Sequence, residues 1–186
     1  MNDSTLLDVL GISGSLRKAS FNTAALHAAR DLAPDGMRIR IRTLEDIPVY
    51  NEDVRAQGYP EPVQALRDEI AAADALLIVT PEYNYSIPGV LKNAIDWASR
   101  PPDQPFDGKP IAIMGASPGR LGTARAQYHL RQCFVALNGL VLNRPEVMVA
   151  GASTIFDESG RLTDEATREH IARQLEALRA WVRRLK

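Results

Sequence analysis

The chain has 186 residues, 45% of them hydrophobic, which suits one domain spanning residues 1–186 with a substantial core. Its 22 lysines and arginines are matched by 23 aspartates and glutamates, so a net charge of −1 and a pI near 6.3 leave no footprint for nucleic acid or an anionic membrane surface. The lone Cys133 excludes an internal disulfide, and with no apolar span and no basic start at the N-terminus a cytoplasmic protein is expected.

Leu6 to Ile12 is an apolar run of strand type, and Phe21 to Leu32 carries helical periodicity through Ala24, Ala25, Ala28, Ala29 and Leu32. Pro34-Asp35-Gly36 reads as a turn. Met37 to Leu44 alternates arginine with apolar residues, the period of a strand with one wet face near an edge of the sheet. Ile47 to Pro60 has no period and reads as a surface loop before a helix from about Glu61 to Ala73. Ala75 to Val79 has the composition of a buried parallel strand, and Pro88-Gly89 opens a helix. The apolar positions of that helix are Val90, Leu91, Ala94, Ile95, Trp97 and Ala98, with Lys92, Asn93 and Asp96 on another face. Gly108-Lys109-Pro110 leads into a fourth strand, Ile111 to Ala116, and Ala124 to Leu137 makes the next helix. Leu140-Val141-Leu142 and Val147-Met148-Val149 form an interrupted fifth strand, and a helix from about Asp164 to Leu185 closes the chain. His27, His129 and His170 fall in helical patterns and read as surface or packing residues. No cluster has the spacing of a metal site.

Five strands alternating with five helices predict a three-layer α/β sandwich with a five-stranded parallel sheet, and that count suits the doubly wound order 2-1-3-4-5. In that order the loops after strands one and three face each other across the switch point, where ligands of open α/β sheets bind.

The loop after strand one is GSLRKASFN, Gly14 to Asn22, at a helix N-terminus. Free backbone N–H groups, Ser15, Ser20 and Asn22 as donors and the Arg17 fork make it a candidate phosphate site, although it is neither a GxxxxGK[ST] loop nor a GxGxxG fingerprint. The plainer reading is an N-cap at Ser20 or Asn22 and a solvated Arg17. The loop after strand three, TPEYNYSIPG, brings tyrosines, an asparagine, a carboxylate and a serine to the C-terminal edge of a strand. After strand four, SPGRLGT carries glycines that let a backbone approach a flat ligand, or that make an ordinary turn. Cys133 lies mid-helix, without a following glycine-rich loop or an arginine six residues on, and reads as a small packing residue rather than a phosphatase nucleophile.

GSLRKASFN followed by PEYNYSIPGVLKNAIDWASR resembles the NADPH-dependent FMN reductase family, most closely its bacterial quinone and chromate reductases. The resemblance extends to Lys109-Pro110 and to Tyr128-His129-Leu130-Arg131-Gln132. It implies a flavodoxin-like fold, FMN as cofactor, NADPH or NADH as reductant, and a homodimer or homotetramer. Carried over, Ser15, Arg17, Ser20, Phe21 and Asn22 would hold the FMN phosphate and ribityl chain. Pro81, Glu82, Tyr83, Asn84, Tyr85 and Ser86 would lie along the isoalloxazine ring, with Ser117 and Gly119 completing the pocket. Where members read SS-x-G in the third loop, this chain reads Ala116-Ser117-Pro118-Gly119.

The implied chemistry is two-electron transfer from the nicotinamide to a small-molecule acceptor such as a quinone, an azo dye, chromate or free flavin. One ring face serving both partners implies ping-pong kinetics, and no catalytic side chain is required. The alternatives are a flavodoxin-type electron carrier, which is usually strongly acidic for docking, and a flavin-free module on the same fold. For assembly, the helix bearing Trp97 is expected to pack between subunits, with Tyr85, Arg125, Tyr128 and Glu146 at a second contact that makes the tetramer.

Overall fold

In the computed structural model, which describes residues 6–186, the apolar run after Leu6 becomes strand β1, Leu7–Ser13. Helix α1, Phe21–Asp31, returns the chain to β2, Met37–Arg42, and a short helix α2, Glu52–Arg55, precedes α3, Glu61–Ala72. Strand β3, Ala75–Val79, leads to α4, Gly89–Ala98, and β4, Pro110–Ala116, leads to α5, Ala124–Ala136. The chain ends with β5, Leu140–Val141, β6, Val147–Val149, a short helix α6, Ala152–Ile155, and the long α7, Glu165–Leu185.

The sheet is parallel with the order β2-β1-β3-β4-β5, and β6 also pairs with β4. The expected topology therefore holds, but the fifth position is filled by two strands in succession. Leu140 and Val141 pair with Pro110 and Ile111 at one end of β4, while Val147 to Val149 pair with Met114 to Ala116 at the other. Strand β2 sits at the edge, as its alternation requires: Met37 and Ile39 are buried while Arg38 is exposed.

Two cores lie on opposite faces of the sheet because successive strand residues point to opposite sides. On one face α1 and α7 bring Leu26, Ala29, Leu175 and Leu178 against Val9, Leu77 and Met114. On the other, Leu66, Ile70, Leu91, Ile95, Leu130 and Phe134 of α3, α4 and α5 cover Leu10, Leu76, Ile78 and Ile113. Residues Ala75 to Val79 are buried on both faces, which explains why that segment is apolar without alternation.

Two sequence expectations need correction. The segment Ile47 to Pro60 is not all loop, since Asn51 caps α2 by accepting the Asp53 N–H at 2.8 Å. Trp97 is fully buried within the chain: its indole N–H donates to the Pro48 carbonyl at 2.8 Å and Tyr50 packs edge-on against it. An aromatic so enclosed belongs to the fold of its own subunit and offers nothing to a partner.

Candidate active site

The register brings the ends of β1, β3 and β4 to one edge, since Ser13 pairs with Val79 and Val79 with Met114. The turns beyond them are drawn together by the Gly14 N–H donating to Val79 O at 2.8 Å and the Thr80 N–H to Met114 O at 3.0 Å. A Cβ on Gly115 would stand 2.0 Å from Thr123 Oγ1 and 2.2 Å from Thr80 O, so only glycine lets β4 pass between those loops. Three loops, Gly14 to Ser20, Pro81 to Pro88 and Ser117 to Thr123, therefore share one edge of the sheet.

The first loop is left open to a ligand. Backbone N–H groups of Leu16, Arg17, Lys18 and Ala19 donate to nothing within the described residues. Arg17 is exposed and has no carboxylate partner there; its guanidinium rests 5.3 Å from the centre of the Phe21 ring, which packs in turn on Phe156. The Ser15 side chain is buried beside Ser13. Ser20 caps α1, its Oγ accepting the N–H groups of Asn22 at 3.2 Å and Thr23 at 3.4 Å.

Asn22 is committed differently from the free donor that the sequence suggested. Its amide donates to Ala116 O at 2.9 Å and accepts the Ala116 N–H at 2.8 Å, so α1 is tied to the end of β4 across 94 positions. Neither end of that amide is idle, and Asn22 acts as a strut between the first and third loops.

In the second loop, Tyr83 and Ser86 exchange backbone hydrogen bonds of 3.1 and 2.9 Å around Asn84 and Tyr85, whose φ angles are +49° and +68°. Two successive left-handed residues make a type I′ turn, a conformation that asparagine tolerates and tyrosine resists. The N–H groups of Glu82, Asn84 and Tyr85 have no partner among the described residues, and the rings of Tyr83 and Tyr85 are exposed. Ser86 Oγ lies 3.1 Å from His129 Nδ1.

The Glu82 side chain, 6% exposed, turns away from this surface towards α5. Its Oε2 accepts the N–H groups of Arg125 at 3.0 Å and Ala126 at 3.2 Å, while Oε1 pairs with the Arg125 guanidinium. Burial pushes the carboxyl up, but the bonds from Arg125 and the α5 backbone outweigh it and hold the group below the ordinary glutamate value. The same guanidinium lies 3.6 Å from the Tyr85 ring centre. Thr123, at the N-cap position, makes no capping bond, so the carboxylate of another loop does that work. Arg125 and this role of Glu82 were not legible as site features: 43 positions separate the partners, and the only local signal is an α5 first turn without an acid.

The third loop is stitched to the chain after β6. Ser117 N–H donates to Val149 O at 2.9 Å, Ala152 N–H to Ser117 O at 3.0 Å, and Ser117 Oγ accepts the Gly119 N–H at 2.9 Å. Pro118 offers no N–H to a ligand. A groove of about 920 Å³ runs along α1 from Arg17, Ser20 and Phe21 to the Asp157–Leu162 turn. Its lining includes Lys18 and Arg161, given no role from the sequence, and His27, read from the sequence as a surface or packing residue. Among the described residues no His, Cys, Asp and Glu side chains gather as a metal site, and no helix is long and apolar enough to cross a membrane.

The family model for NADPH-dependent FMN reductases matches residues 7–154, from β1 through α6. The chain belongs to that family. An NAD(P)H-dependent FMN reductase of Pseudomonas aeruginosa is 62% identical over 180 residues, covering 97% of each chain. A quinone reductase of Escherichia coli is 45% identical over 183 residues, again with 97% of each covered. Among solved structures, the flavoenzyme NAD(P)H:acceptor oxidoreductase FerB of Paracoccus denitrificans superimposes with a TM-score of 0.85 at 37% identity, covering 96% of this chain and 98% of that one.

As a member of the FMN reductase family the protein is an oxidoreductase working with NAD(P)H and FMN. The first loop fits such a ligand on its own observations: among the described residues its N–H groups have no partner and Arg17 no carboxylate, and the helix N-terminus beyond has no acidic residue in its first turn, a donor set suited to an anion.

Proposed function

We propose that this FMN reductase holds one FMN per chain across the β1–β3 switch point and passes two electrons from NADPH or NADH to a quinone-like acceptor by a ping-pong sequence. The observation that carries the reading is the pairing of an open anion cradle, Gly14 to Ser20, with the exposed aromatic turn Tyr83 to Ser86 on the adjacent strand end. Arg17, the loop N–H groups and the Ser15 hydroxyl would hold the phosphate, and Ser20, Phe21 and Asn22 would fix that loop. Pro81, the Glu82 backbone, Tyr83, Asn84, Tyr85 and Ser86, with Ser117 and Gly119 opposite, would line the ring.

FMN, when bound, would supply the redox chemistry, a hydride taken from the nicotinamide and two electrons with two protons passed to a quinone, the second proton coming from solvent. The protein contributes orientation and polarity. The N–H groups of Glu82, Asn84 and Tyr85 have no partner among the described residues and would be fixed dipoles for charge that builds on a ligand in the crevice. Exposed Tyr83 and Tyr85 give a planar acceptor a surface to stack on. The name of the Escherichia coli relative supports a quinone acceptor, and that of the Pseudomonas aeruginosa relative keeps flavin among the acceptors. The near-neutral charge gives little support to an electron carrier steered by acidic docking. The polar aromatic cluster of Tyr85, Arg125, Tyr128 and Glu146 supports a homodimer or homotetramer built on the α5 face: Tyr128 is half exposed, and its hydroxyl donates to Glu146 at 3.4 Å.

Steady-state rates with NADPH and NADH crossed against a benzoquinone series test the reading. Parallel double-reciprocal lines that depend on bound FMN are expected. Intersecting lines would indicate a ternary complex, and a holoprotein that oxidises neither nucleotide would leave electron carriage as the function.

A further inference from the structure

Glu82 and Arg125 do more than join two loops. A buried carboxylate lies against the first backbone N–H groups of α5, where the helix presents its positive end. That end borders the same edge of the sheet as the flavin site proposed above. Without Glu82 it would be a second anion cradle beside the first, because Thr123 leaves it uncapped and its first turn has no acid. On its other side the pair fixes Tyr85, since the guanidinium held by Glu82 is the surface against which that ring lies in a left-handed backbone conformation.

We propose that Glu82 and Arg125 are a charge-balanced positioning pair that sets both the aromatic wall at Tyr85 and the electrostatic potential in the crevice, and hence the relative affinity for oxidised and reduced FMN. The inference rests on the flavin-binding reading of this edge. The Glu82 carboxylate is buried and Arg125 is about one-third exposed, so the charge of the pair is screened less than that of a fully solvated one. Removing the negative member leaves the arginine and the α5 terminus uncompensated, favouring the more negative, reduced ligand. Removing the positive member does the reverse. A role confined to holding the loops would shift both affinities in the same direction for either change.

The test is Glu82→Gln, Arg125→Met and the double variant, each checked for folding by circular dichroism. FMN affinity is measured by fluorescence titration, and the midpoint potential of the bound flavin by equilibration with a reference dye. Glu82→Gln is expected to move the ratio of oxidised to reduced dissociation constants about tenfold towards the reduced form, a rise of about 30 mV for a two-electron couple. Arg125→Met should move it in the opposite direction, and the double variant should return most of the way. Arg125→Lys keeps the charge but not the stacked fork, so it should retain the potential while raising KM for the quinone. Shifts of the same sign in the two single variants, or no shift beyond about twofold, would overturn the proposal while the flavin-binding reading stands. A wild-type protein that binds no FMN would overturn both. If either single variant fails to fold, the sign of the other's shift carries the decision, with Arg125→Lys as the charge-retaining control that should stay at the wild-type potential.

Discussion

Helices α1 and α5 both begin at the C-terminal edge of the sheet, directly after a buried strand and a glycine-bearing loop, and neither has an acidic residue in its first turn. They are finished in opposite ways. At α1 the chain supplies a local cap, Ser20, and among the described residues the preceding N–H groups have no partner and Arg17 no carboxylate. At α5 there is no local cap, and an anion brought from the β3 loop occupies the terminus together with the neighbouring cation. Two ends with the same intrinsic polarity thus differ in whether the molecule answers its own charge. Of these two ends, a phosphate arriving from solution meets an open terminus at α1 and an answered one at α5.

The contrast can be broken most forcefully at Asn22. Replacing it by alanine removes both bonds to Ala116 and leaves a buried N–H and C=O without partners. At about 1–3 kcal/mol for each unsatisfied group, a loss of about 2–6 kcal/mol is expected in denaturant unfolding. A midpoint close to that of the wild type would mean that α1 is not anchored to β4 in this way. Next in size, Arg17→Ala should weaken FMN binding by about 1.5–3 kcal/mol with the fold unchanged, since a charge-assisted contact is lost where no internal ion pair exists. Calorimetric titration reads this directly, and unaltered affinity would remove Arg17 from the site. The smallest effect belongs to Ser20→Ala, which deletes the α1 cap and should lower stability by about 1 kcal/mol in thermal melts. A larger loss of FMN affinity than Arg17→Ala causes would show that the hydroxyl serves the ligand and not only the helix.

What was legible in the sequence follows the range of the interactions. Met37 to Arg42 announces an edge strand and Ala75 to Val79 a central one, because burial imposes a period that can be read over a few residues. The loops of the site could be found for the same reason, since each directly follows such a strand. Asn22, Glu82 and Trp97 were recognised as significant residue types, but their tasks are set by Ala116, Arg125 and Pro48, at 94, 43 and 49 positions along the chain. No local pattern encodes those distances. Helix α2 escaped for a different reason: four residues are too few for periodicity to register, and only the Asn51 cap marks its start.

The outer strand β2 carries a consequence for the protein in a crowded cell. Its free edge is an invitation to another strand, yet Arg38 and Arg40 are ion-paired to Asp8 at 3.0 Å and Arg42 to Asp46 and Glu69 at 2.8 and 3.1 Å. A second copy laid alongside would bring its own arginines against these, with the carboxylates already engaged. Such repulsion opposes fibre growth by strand addition.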